Sequence, residues 1–159
     1  MITNVYDLVS EQDVLKAHEV SFRLWPRQWT LGGGAQVYTW QVYKLSELNR
    51  PSVPQRAGLY TLVVQPGIFG HPLCSYLMYV GKTNSLHRRF GEYLREMNQA
   101  TGRKKIVRLL NKYFDYVWFC FTEIPESEIS RVEDALLEAF MPPFNDRFPA
   151  SVSRIITAF

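Results

Sequence analysis

The chain is expected to fold as one α/β (α+β) sandwich, a small three-stranded, largely antiparallel sheet flanked by helices, with an N-terminal accessory extension. Three observations predict it. The 159 residues, 47% hydrophobic and 14% aromatic, suffice for one buried core with a small accessory layer. Short β-branched and aromatic runs alternate with longer segments of helical period, in the order β-β-α-α-β-α. No internal repeat or low-complexity tract interrupts them.

Residues 10–24 read as a helix entered at Ser10, with Val14, Ala17 and Phe22 inward. Residues 36–45 (QVYTWQVYKL) have strand composition and follow the flexible Gly32-Gly33-Gly34. Pro51 and Pro54 make 50–55 a linker, because two prolines forbid regular helix there. Residues 58–65 (GLYTLVVQ) and 76–81 (YLMYVG) are apolar strands joined by the turn-rich 66–72, which makes a long hairpin. In the second of them Tyr79 and Leu77 face opposite to Tyr76, Met78 and Val80. Helices follow at 84–97 and 103–112, then a strand at 115–121 (DYVWFCF). The last helix opens through Pro125 and Ser127 and ends at Phe140, before Pro142-Pro143. This divides the chain into an accessory segment 1–55, a domain 56–147 and a tail 148–159.

Bulk properties exclude some classes. No run approaches 18 apolar residues, so no membrane partner is expected. The acidic residues Asp7, Glu11, Asp13 and Glu19 leave no apolar core for a signal peptide. Cys74 and Cys120 stand alone without metal-ligand spacing and are expected as reduced thiols of a cytoplasmic protein. The net charge of +3 permits a nucleic-acid partner without demanding one. Its distribution says more: residues 101–112 hold five of the eighteen basic side chains and no acid. On that helix Lys104, Lys105, Arg108 and Lys112 lie opposite Ile106, Leu109 and Leu110, either a phosphate-binding stripe or a solvated face.

Two other helices carry charge beside their apolar faces. On the last one Ile129, Val132, Leu136, Leu137 and Phe140 form a stripe, and Glu133 falls inside it. A carboxylate there is costly unless it meets a cation, a metal or several donors. The alternatives are a rim residue that reaches water or a metal ligand at a cleft. On 84–97 the stripe is Leu86, Phe90, Leu94 and Met97; Tyr93 lies within it and Arg89 at its shoulder. Arg89 and Tyr93 are four apart and share a face, where a guanidinium can bind a phosphate or an ordinary acid.

Taken in order, these residues resemble the GIY-YIG nuclease superfamily over roughly 57–147. Gly58-Leu59-Tyr60 resembles the first element and Tyr79-Val80-Gly81 the second, continued by Lys82-Thr83. Arg89 stands ten residues after Tyr79, Tyr93 follows it, and Glu133 precedes Asn145 by twelve. The loop of eighteen residues between Tyr60 and Tyr79 is about double the family's usual length; through His71 or Phe69 it is expected to contact substrate.

The resemblance implies a GIY-YIG-type sandwich and a hydrolase that cuts phosphodiester bonds in nucleic acid, most simply DNA. It implies Mg²⁺ (or Mn²⁺) on Glu133, with Arg89 and Lys82 neutralising the phosphate. Tyr60, Tyr79 and Tyr93 complete the catalytic set. Tyr60 is preferred for the water's proton, although sequence does not separate it from Tyr79. Gly58, Gly81 and Asn145 would be structural. A homodimer or a partner subunit would supply specificity, and 1–55 sequence readout. Restriction or phage defence, structure-specific repair and a toxin nuclease stay open, as does a catalytically silent binding module of the same fold. Trp25, Trp29, Trp40 and Tyr43 make an accessory layer, a dimer surface or base-stacking contacts, with packing in a core the first expectation.

Overall fold

The computed structural model describes residues 5–32, 36–71, 73–99 and 101–158. Gly33 and Gly34 lie outside them. One sheet holds four antiparallel strands, β1 (Gln41–Lys44), β2 (Gly58–Val64), β3 (Tyr76–Thr83) and β4 (Val117–Glu123), in the order β1-β4-β2-β3. The helices are α1 (Val5–Lys16), α2 (Pro26–Gly32), α3 (Leu86–Gln99), α4 (Lys104–Lys112), α5 (Glu126–Phe140) and α6 (Ala150–Ile156). Short 3₁₀ segments occupy Glu47–Ser52 and Ile68–Gly70. The first absorbs Pro51 of the expected linker.

The sheet has four strands where three are predicted. The extra one comes from the N-terminal segment: β1 pairs with β4 from Gln41↔Phe121 to Lys44↔Trp118. Strand β2 is central, and its residues, apolar apart from Thr61, are buried on both faces. On one face Tyr60, Leu62, Phe119 and Phe121 meet Phe90, Tyr93 and Leu94 of α3 and Ile106, Leu109 and Leu110 of α4. On the other Leu59 meets Ile124 and, from α5, Ile129 and Val132. Each fully buried side chain of this size contributes about 1.5–3 kcal/mol of transfer free energy.

Register decides which face the edge strand β3 serves at each position. Tyr79 pairs with Leu62 and lies over the first core, whereas Lys82 pairs with Leu59 and looks toward α5. A bulge at Leu62/Val63 breaks the predicted alternation, so Met78 as well as Tyr79 packs into the first core.

The N-terminal helix departs most from expectation. It runs over 5–16 instead of 10–24, and Val14 and Ala17 are exposed. Leu8, Val9 and Leu15 are exposed too, so no packed face anchors a continuation. Phe22 lies beyond the helix, beside Tyr76, with ring centroids 5.9 Å apart. Helices α2 and α6 are not predicted. Trp29 on α2 donates its indole N–H to the Ala139 carbonyl at 2.8 Å. Val152 of α6 is fully buried, and Trp25 lines a hollow beside it with Met141. Trp40 packs against the second core and Tyr43 stacks on Phe121. Phe140, expected on the inner stripe of α5, is 43% exposed at the helix end.

Candidate active site

The site is built around the free edge of β3. Asn145 accepts from the Val80 amide at 2.9 Å and donates to the Val80 carbonyl at 2.8 Å. The Phe144 amide adds a bond to the Met78 carbonyl at 3.0 Å. These bonds satisfy edge groups that would otherwise be open. Because the segment after α5 is pinned there, a cleft of about 690 Å³ wraps this edge. Tyr79 enters from the first face, Lys82 and Glu133 from the second, and Arg103 and Lys105 from the start of α4.

Close approach of glycine shapes the floor. Tyr60 pairs with Gly81, and a Cβ on Gly81 would fall 2.4 Å from the Tyr60 hydroxyl. Only a glycine leaves room for that ring. Gly58 is constrained likewise, since a Cβ would meet the Thr122 carbonyl oxygen at 2.3 Å. Tyr60 stacks on Phe119 with centroids 5.0 Å apart and is 1% exposed. Its hydroxyl lies 2.8 Å from that of Tyr93. Burial pushes the Tyr60 phenol well above its ordinary range; Tyr93 and Tyr79 add to the rise and the Arg89 charge opposes it. The Tyr93 phenol is pushed up to about 12, again by burial, with Arg103 opposing. Tyr60, preferred from sequence for the water's proton, is therefore sealed from water. Tyr79 is half-buried and lines the cleft.

Arg103 joins the tyrosines. Its guanidinium donates to the Tyr79 hydroxyl at 3.0 Å and to the Tyr93 hydroxyl at 2.9 Å, and its central carbon lies 5.6 Å from both ring centroids. Across the cleft Lys82 pairs with Glu133 at 2.9 Å and donates to Ser130 at 3.1 Å. The Glu133 side chain is 15% exposed, so the stripe position from sequence corresponds to a largely buried carboxylate held by a cation.

Arg89 is not on this cleft. It lines an adjoining hollow of about 430 Å³ with Thr83, Asn84 and Arg88, and Lys82 borders both. Its Nη1 pairs with Glu92 at 2.8 Å, while its buried Nε has no partner among the described residues. Glu96 lies near both Arg89 and Arg103, and burial raises its carboxyl pKa against their charges.

The remaining expected positions divide. Lys105 lines the cleft and pairs with Asp146 at 2.5 Å, whereas Lys104 and Arg108 are exposed along α4. Lys112 donates to the Ala17 carbonyl and so holds the turn that follows α1. His71 and Phe69 sit in the β2–β3 loop, at the opposite end of the hairpin from the Tyr60–Gly81 pair. They do not border the cleft. Arg103 is the residue that sequence reading missed. A signal existed: Arg103, Lys104 and Lys105 put three cations on the first turn of a helix, where the macrodipole disfavours them unless an anion is near.

Among the described residues no three His, Cys, Asp or Glu side chains are grouped to hold a metal. Two carboxylates on the cleft hold a cation: Glu133, largely buried, holds the Lys82 ammonium, and Asp146, exposed, holds that of Lys105, so Glu133 is the one placed to hold an ion inside the cleft. A one-carboxylate site completed by water fits that donor set.

No family model matches the chain, and no curated protein matches it. Among solved structures, point-mutant forms of the GIY-YIG N-terminal endonuclease domain of UvrC from Thermotoga maritima are similar to it. One, described as bound to the catalytic divalent cation, has 20% identity and a TM-score of 0.46, covering 64% of this chain and 99% of the other. Another has 18% identity and a TM-score of 0.46, over 63% of this chain and 93% of the other. At that identity and score the likeness carries no weight beyond the geometry above. Among the described residues no helix is long and apolar enough to cross a membrane.

Proposed function

We propose that the chain is a GIY-YIG-type endonuclease that hydrolyses phosphodiester bonds in DNA with a divalent metal, Mg²⁺ or Mn²⁺. The observation that carries this reading is one cleft, wrapped around the edge of β3, that receives the Tyr79 hydroxyl from one face and the Lys82–Glu133 pair from the other. The ordered motif residues of the sequence supply the reaction type.

In this reading Glu133 is the metal's protein ligand, and the bound ion supplies charge for the leaving oxygen. Tyr79, having given its own proton to solvent, takes one from the attacking water, whose oxygen forms the new bond to phosphorus. The bond to the 3′ oxygen breaks, and that oxygen leaves with a proton from solvent. Lys82 exchanges its carboxylate partner for the phosphate, and Arg89 reaches the same anion from the adjoining hollow. Tyr60 and Tyr93 support the floor. Lys104, Lys105 and Arg108 extend the basic path along α4 for neighbouring phosphates. Restriction or phage defence in the cytoplasm is the setting we propose. The thiols of Cys74 and Cys120 are free, which suits a reducing compartment. A second copy would cut the second strand.

Supercoiled plasmid in Mg²⁺ tests this directly: nicking is expected, lost with EDTA. Glu133→Ala is expected to lower cleavage at least about 1000-fold while leaving DNA affinity within a few-fold. Full cutting by that variant overturns the mechanism. Binding without cutting in any metal selects the silent-module reading.

A further inference from the structure

We propose that Arg103 is the positioning residue that makes Tyr79 competent for proton transfer; the proposal rests on the nuclease reading above. The resemblance offers Lys82 and Arg89 as the cations of the site, the first candidates to stand beside the acting phenol. In the fold neither contacts it. The Lys82 ammonium is on Glu133 and Ser130, and the Arg89 guanidinium is on Glu92. The cation whose N–H meets the Tyr79 oxygen, at 3.0 Å, is Arg103.

Hydrogen-bond inventory fixes what that contact does. A guanidinium donates and never accepts, so the Tyr79 and Tyr93 oxygens are both acceptors toward Arg103. Tyr93 is buried and already shares a hydrogen bond with Tyr60. Its oxygen is thus a fixed post that sets the guanidinium plane. With one lone pair engaged, the Tyr79 O–H turns its proton away from Arg103, toward the open cleft. When Tyr79 takes a proton from water after losing its own to solvent, the phenolate faces a cation with an N–H already in place, and no group has to reorganise. Among the described residues no carboxylate lies within 4.0 Å of the Arg103 guanidinium; Glu96, the acid whose charge reaches it, makes no ion pair with it. The turn that leads into α4 is shaped by Gly102, at φ 121°, where an added Cβ would meet the Glu96 carboxyl at 2.7 Å.

Cleavage kinetics and tyrosine NMR together test it. Arg103→Met, nearly equal in length but uncharged, is expected to lower kcat about 100-fold with KM changed less than about 3-fold. Arg103→Lys is expected to recover part of that loss, which also reports a folded chain. Because Arg103 acts through Tyr79, adding Arg103→Met to Tyr79→Phe is expected to cost no further rate. Multiplicative losses, or an unchanged kcat, overturn the proposal. In metal-free protein carrying ¹³Cζ-labelled tyrosine, the Tyr79 resonance, assigned by its absence in Tyr79→Phe, is expected to move in Arg103→Met. An unmoved resonance overturns the role of Arg103 whatever the cleavage result. A wild-type chain that cuts nothing while the resonance moves overturns the nuclease reading instead.

Discussion

Strands β2 and β3 lie side by side, and each brings a tyrosine to the same face, yet the two phenols end in opposite environments. Tyr60 belongs to the central strand, where partners on both sides and helices above leave it 1% exposed. Tyr79 belongs to the edge, where only β2 flanks it and the cleft opens. The same side chain therefore acts as structure at one position and as chemistry at the other. An interior strand provides rigidity, and the edge beside it provides access.

The contrast can be broken at graded points. Tyr79→Phe is expected to reduce the cleavage rate about 1000-fold and leave Tm nearly unchanged, whereas Tyr60→Phe should reduce it less than about 10-fold. Comparable losses in both variants, measured by single-turnover cleavage, would dissolve the distinction. Gly81→Ala drives a methyl into the Tyr60 ring and is expected to destabilise the fold by about 2–4 kcal/mol in urea denaturation. Alkali probes the buried phenols. Folded Tyr60 and Tyr93 hold protons that the unfolded chain releases near its ordinary phenol pKa of 10.0, so stability falls as pH rises from about 10 toward 12. That fall should be shallower in Tyr93→Phe when Tm is followed against pH. Smallest is the contribution of α4: a Lys104, Lys105 and Arg108 triple alanine variant should flatten the log–log dependence of DNA affinity on salt by about 2–3 units.

What the sequence revealed follows the strength of local signals. Strands β2 and β3 and helices α3, α4 and α5 carry long apolar patterns and lie within a few residues of their predicted places. Strand β1 was recognised as a strand, but its place in the sheet was not. Only pairing with β4 specifies it, and Val42 is half exposed. Helices α2 and α6 have seven residues each and are held by Trp29 and Val152 through tertiary contacts that no periodicity announces. In the site, Glu133 was legible because a charge on an apolar stripe demands a partner. Arg103 was hidden, since its partners lie 10 and 24 residues away along the chain and converge only when α3 and β3 pack. The burial of Tyr60 was hidden too, because strand order decides it.

The clamp of Asn145 and Phe144 on β3 has a bearing on assembly. By occupying the amide and carbonyl of Val80 and the carbonyl of Met78, it denies a foreign strand the ladder it would need to dock there. Two copies of the chain joining their sheets through β3 would first have to displace this clamp from the wall of their own cleft, whereas a sheet continued from the β1 edge would leave it in place.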